Sequence, residues 1–171
     1  MLNLIVFWTC ALVAVAAAIR VITIRNPISC VLHLIVTLVA LAILFLQLSA
    51  EFVALLQVII YAGAIMVLFL FIVMLLNLKR DEFGPNPLKG IRLLGAILGA
   101  SFLAELLVII AGAEAQLDPV GAGFGSVQSI GFALFGEYLF AFELTSLLLL
   151  GAALAAIVVA RPRALHQTEA Q

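Results

Sequence analysis

Few of the 171 residues carry side chains able to do chemistry, and those few sit in or beside long apolar runs. Three are carboxyl groups: Glu51, Glu105 and Glu143. A carboxylate at the centre of a bilayer costs on the order of 3 kcal/mol, and a short glutamate stem cannot reach the headgroups as lysine does. Each of these acids therefore stays protonated, finds water or faces a partner, so proton movement is the chemistry to look for. For Glu105, roughly 10 Å from the end of its run at 1.5 Å per helical residue, a tilted helix that wets it is an equal alternative. Glu143 lies about one turn into its run, where placement at the interface near the helix start alone favours an acid through the dipole. Glu51 can likewise serve as an ordinary first-turn acid.

The most informative stretch is Gln57-Val58-Ile59-Ile60-Tyr61-Ala62-Gly63-Ala64-Ile65-Met66-Val67-Leu68-Phe69. Tyr61 falls roughly 15 Å into a helix, near mid-membrane and away from the interfacial belts where tyrosine normally anchors. Gln57, four residues earlier, shares its face; the two either satisfy each other or flank a water path. Beside them Ala62-Gly63-Ala64 bares the backbone to a close neighbour. Gly63 also forgoes about 1 kcal/mol of helix propensity against alanine, so the helix there is either tightly packed or deformable through a π-bulge.

Other reactive groups have plainer roles. His33 has Val36 and Thr37 at the spacings where a second metal ligand would stand, so it reads as a helix-contact residue. Cys10 and Cys30 lie in apolar runs with no CxxC spacing and read as small packing residues. No catalytic residue, cofactor site or metal site is expected in this chain.

These groups need helices to hold them. With 67% hydrophobic and 10% charged residues and a mean hydropathy of +1.37, the chain is too apolar for a soluble fold. The net charge of -1 leaves no basic surface for nucleic acid. Five runs reach the roughly 20 apolar residues a bilayer requires: 2–19, 28–48, 52–77, 91–112 and 139–160. Lipid offers the backbone no partners, which forces helices; continuous rather than alternating apolarity argues against a barrel. The expected fold is therefore an all-α integral membrane protein with five transmembrane helices in one membrane domain, residues 1–171. Residues 164–171 read as a flexible tail, and Ser129 to Phe135 as a short helix lying in the interface.

The first run carries an Ala-x-Ala pattern in Val15-Ala16-Ala17-Ala18, but no positive region precedes it, so it reads as a span and not as a cleaved leader. Arg20, Arg25, Lys79, Arg80, Lys89, Arg92, Arg161 and Arg163 all fall on one membrane face by parity of the spans. The other face receives Glu51, Glu114, Asp118 and Glu137 without a cation. The positive-inside rule then puts the N-terminus outside and the C-terminus in the cytoplasm.

Asn26-Pro27, then Glu51-Phe52-Val53-Ala54-Leu55-Leu56-Gln57 through the Tyr61-Ala62-Gly63-Ala64 motif to Asn77, closely resembles the J subunit family of NADH-quinone oxidoreductase, chain 6 of respiratory complex I in mitochondria. Gly131-Phe132-Ala133-Leu134-Phe135 and Tyr138-Leu139-Phe140-Ala141-Phe142-Glu143-Leu144-Thr145-Ser146 resemble the family's approach to its last span. Glu105 and residues 113–127 lie outside the resemblance.

The resemblance implies a bacterial inner-membrane subunit without a redox centre. NADH, FMN, iron–sulfur clusters and quinone would be handled by other subunits, with the A, H, K and N types as neighbours. It also implies a π-bulge in the stretch from Tyr61 through Phe69, whose rearrangement swaps Met66 and Phe69 against a water path. Two further readings stand beside this one: a purely structural subunit of the same complex, and a small autonomous proton or cation transporter or channel. The second is disfavoured by the absence of an intramembrane lysine–acid pair and of any internal repeat.

Overall fold

A computed structural model of the chain describes residues 1–76, 89–112, 121 and 123–161, with residues 89–92 described by backbone alone. The expectations for Asn77, Lys79, Arg80, Glu114, Asp118, Arg163 and the tail 164–171 lie outside the described residues, as do those for the side chains of Lys89 and Arg92. The chain divides into two units, Met1–Phe124 and Gly125–Gln171.

In the first unit, α1 covers Leu2–Thr23, α2 Pro27–Gln47, α3 Glu51–Leu76 and α4 Lys89–Gly112. In the second, α5 covers Val127–Phe135 and α6 Leu139–Ala160. Among the described residues, five of these helices are long and apolar enough to cross a membrane; α5 is the short exception. It starts two residues before the expected Ser129.

Local chemistry sets the helix ends. α1 runs past residue 19 to Thr23 because Arg20 occupies its last turn, where a cation complements the dipole. α2 starts at Pro27, whose missing N–H costs nothing at that position. The Asn26 side chain accepts from the N–H groups of Ile28 at 3.0 Å and Ser29 at 3.4 Å. At its other end the chain reverses over three residues: Ser49 takes φ 59°, and the Ala50 N–H donates back to the Phe45 carbonyl at 3.0 Å. Satisfying carbonyls this way is what ends a helix with a left-handed residue.

α2 lies between α1 and α3, touching both along their lengths. The Gln47 amide donates to the Asn3 carbonyl at 3.4 Å, tying the end of α2 to the start of α1 in an antiparallel pair. Among the described residues, the buried ones are Ala14 and Ala17 on α1, Val31, Ala40 and Ala42 on α2, and Ala54, Ala62 and Val73 on α3. Six of these eight are alanine, so the helices close through small side chains that let backbones approach, as helices in lipid must when no hydrophobic gradient drives them together.

Several hydroxyls in the spans are satisfied within their own helices. Thr9 donates to the Ile5 carbonyl at 2.9 Å, Thr37 to His33 at 3.0 Å, Ser101 to Leu98 at 2.9 Å, Thr145 to Ala141 at 2.8 Å and Ser146 to Glu143 at 2.7 Å. Back-bonding of this kind lets a serine or threonine sit in a span without a foreign partner.

Candidate functional site

α3 is not a uniform α-helix. Glu51–Leu56 and Met66–Leu76 are α-helical, and the nine residues Gln57–Ile65 between them form a π-helix. At the exit of that segment the Met66 N–H reaches the Tyr61 carbonyl, five residues back, and also the Gly63 carbonyl. A five-residue step places one more residue in the turn than the usual four. Relative to a regular helix, the residues beyond it are turned by ~100°, the angle of one residue at 3.6 per turn.

The sequence of the segment suits the wide turn. A Cβ on Gly63 would stand 3.1 Å from the Val58 carbonyl oxygen, closer than side chains usually tolerate. Ala62 is buried in the packing while Tyr61, next to it, is 51% exposed. Gln57 and Met66 are half-buried, and Phe69 is exposed one turn further on. α2 packs against the π segment and against both α-helical portions of α3.

Gln57, Tyr61 and Gly63 are therefore brought into one widened segment, with Met66 as the first residue after it and Phe69 beyond. The segment starts four residues earlier than the stretch from Tyr61 expected from the sequence. Among the described residues, neither the Gln57 amide nor the Tyr61 hydroxyl has a hydrogen-bond partner in the chain, and the two do not bond each other.

The acids behave differently from the hydroxyls. Glu51 occupies the first turn of α3 and is exposed. Glu105 on α4 and Glu143 on α6 each stand on an exposed surface of their own helix. A carboxylate accepts only, so it cannot donate back to its own helix carbonyls as a hydroxyl does.

His33 is half-buried, with Nδ1 2.7 Å from the Ser29 carbonyl. A carbonyl only accepts, so Nδ1 carries the hydrogen of this bond. Cys30 donates its thiol to the Ile24 carbonyl at 3.1 Å. Cys10 lines an apolar groove of about 350 Å³ between α1 and α2, with Thr9, Val13, Val36 and Val39. Among the described residues no group of three or more His, Cys, Asp or Glu could hold a metal ion.

Two features escaped sequence reasoning. The start of the π segment at Gln57 follows from which carbonyl each N–H selects, which composition does not encode. Gly136 closes the turn from α5 into α6, where an added Cβ would lie 2.8 Å from the Phe132 carbonyl oxygen. Its position between Phe135 and Glu137 was the only available signal.

The helices define a multi-pass membrane protein in which the third span is irregular. The family model for NADH-ubiquinone/plastoquinone oxidoreductase chain 6 matches residues 17–159, and the chain belongs to that family. It is 42% identical to NADH-quinone oxidoreductase subunit J of Pseudomonas aeruginosa over 166 residues, covering 91% of this chain and 95% of that protein. Against the subunit J of Escherichia coli (strain K12) it is also 42% identical, covering 91% and 85%. Against NADH-quinone oxidoreductase subunit 10 of Thermus thermophilus it is 36% identical, covering 85% and 82%.

Proposed function

We propose that this chain is a membrane subunit of a proton-translocating NADH:quinone oxidoreductase, and that α3 gates a water and proton path between quinone reduction and proton pumping. Membership of the chain 6 family supports the first part. One observation carries the second: the π segment Gln57–Ile65 surrounds the mid-span Tyr61 and ends just before Met66. Returning that segment to regular α geometry turns Met66 and Phe69 by ~100°. Apolar side chains turned into a narrow water-filled path close it by dewetting. Tyr61 and Gln57 supply polar groups to the path, and Glu51 and Glu143 are its candidate carboxylates, with Glu105 a lesser one.

In this reading the whole chain is one membrane domain of the bacterial inner membrane, N-terminus periplasmic and C-terminus cytoplasmic. Its neighbours are the A, H, K and N type subunits. Electrons move through FMN, iron–sulfur clusters and quinone held by those and other subunits, and this chain holds none of them. The test is coupling. Gly63→Leu and Tyr61→Phe complexes are reconstituted in liposomes, and proton transfer is measured against NADH:quinone turnover. Lower proton transfer per electron in an intact Gly63→Leu complex supports gating. Full assembly with unchanged coupling in both variants reduces α3 to packing. Activity of the purified chain alone in liposomes would instead make it an autonomous transporter.

A further inference from the structure

The second unit contains a rigid elbow that presents aromatic rings. α5 is capped by Ser126, whose hydroxyl oxygen accepts from the Ser129 N–H at 3.3 Å. The chain then turns within Gly136, Glu137 and Tyr138 before α6 begins at Leu139. The Tyr138 N–H donates to the Ala133 carbonyl at 2.9 Å, and the Leu139 N–H to the Gly136 carbonyl at 3.4 Å. Across the turn Phe135 meets Phe142 edge-to-face at 5.2 Å. Gly136 admits the close approach of the Phe132 carbonyl that this geometry requires. The turn thus fixes α5 to the first residues of a membrane-spanning helix and holds it at the level where that helix enters the bilayer.

The surface α5 shows to its surroundings is mixed. Ile130, Ala133 and Leu134 are partly covered, whereas Phe132 is 74% and Phe135 67% exposed. Gln128 and Ser129 are exposed too. At ~100° per residue, Phe135, Gln128, Phe132 and Ser129 fall in one arc of about 120°. Tyr138 stands exposed in the adjoining turn. Hydrocarbon would reject the Gln128 amide and water would reject the rings of that arc, while the headgroup boundary accommodates both. From residue 123 to 138 there is no lysine or arginine, so the attraction does not depend on anionic lipid.

We propose that α5 and Tyr138 form a lipid-anchoring surface that lies in the bilayer interface at the start of the fifth span, with Phe132 and Phe135 reaching to the headgroup–acyl boundary of zwitterionic phospholipid. The inference rests on α6 spanning the membrane and is independent of any gating by α3. It is tested on the assembled complex in phosphatidylcholine nanodiscs, with the photoreactive p-benzoylphenylalanine replacing Phe132 or Phe135. On illumination the expected product is this chain carrying a phospholipid adduct. Crosslinks chiefly to another subunit would overturn the proposal in favour of a protein interface, and an absence of adducts would overturn it in favour of water. Should the bulky residue block assembly, Phe132→Trp gives a second measurement from emission added to the parent complex. Lipid brominated near the headgroups should quench it about twofold more than lipid brominated at the chain ends, as the shallow seating of an interfacial helix requires. Equal or no quenching by either lipid overturns the proposal.

Discussion

The carbonyl oxygen of Val58 lies where a β-carbon on Gly63 would come within 3.1 Å of it, five residues along the same helix. The wide turn of α3 and the missing side chain at Gly63 are therefore one feature. In regular α geometry an alanine at this position is favoured over glycine by about 1 kcal/mol. In the π geometry the same methyl group crowds the Val58 oxygen.

That crowding in Gly63→Ala acts against the wide turn and toward the regular helix. The wide form should lose population. A resolved backbone of the variant complex checks this, because the Met66 N–H should then bond the Ala62 carbonyl in place of Tyr61. Gly63→Leu should reduce proton transfer per electron more than Tyr61→Phe, which removes one hydroxyl and leaves the backbone alone.

Gly136→Ala should loosen the turn between α5 and α6. Its methyl group would sit 2.8 Å from backbone oxygen, which cannot yield as a side chain does. The cost should be about 1–3 kcal/mol, typical of overpacking. Thermal unfolding of the complex measures it, with Gly131→Ala as the control because nothing lies within 4 Å of a Cβ there.

Asn26→Ala should destabilise the start of α2 by about 1 kcal/mol, the usual worth of a side-chain cap. Faster amide exchange at Ile28 and Ser29 would report the loss directly. Asn26→Ser should restore most of the protection, since a hydroxyl oxygen can accept the same bonds.

Ala17→Leu should separate α1 from α2, because Ala17 is buried between them. The expected cost is about 1–3 kcal/mol, read as a lower yield of intact complex in mild detergent. Ala16→Leu, on the exposed side of the same helix, should leave the yield unchanged.

Much of the architecture is legible in the residues. Runs of about 20 apolar side chains have one structural solution in lipid, and Asn26-Pro27 marks its helix start by ordinary capping. Boundaries shifted where charge and conformation compete: Arg20 is carried inside α1 because a last-turn cation is favourable there. At the site, the sequence marks Tyr61 and Gly63 as unusual, but the extent of the π segment depends on each N–H choosing between carbonyls four and five residues away. Apart from the missing side chain at Gly63, those alternatives differ by geometry among neighbours. Gly136 is illegible in the sequence for a similar reason, since only the backbone of Phe132, folded back upon it, makes a side chain unwelcome there.

The packing of α2 against both α1 and α3 bears on the order of assembly. Each of these pairings joins helices consecutive in the chain, across connections of three residues: Ile24 to Asn26 and Leu48 to Ala50. Contacts of such short sequence separation close rapidly and spend little loop entropy. By the time Leu76 has been synthesised, the alanine and valine seam from Ala14 to Val73 is present. The first three spans thus have the means to join as they leave the ribosome, before α4 to α6 exist and before any neighbouring subunit arrives.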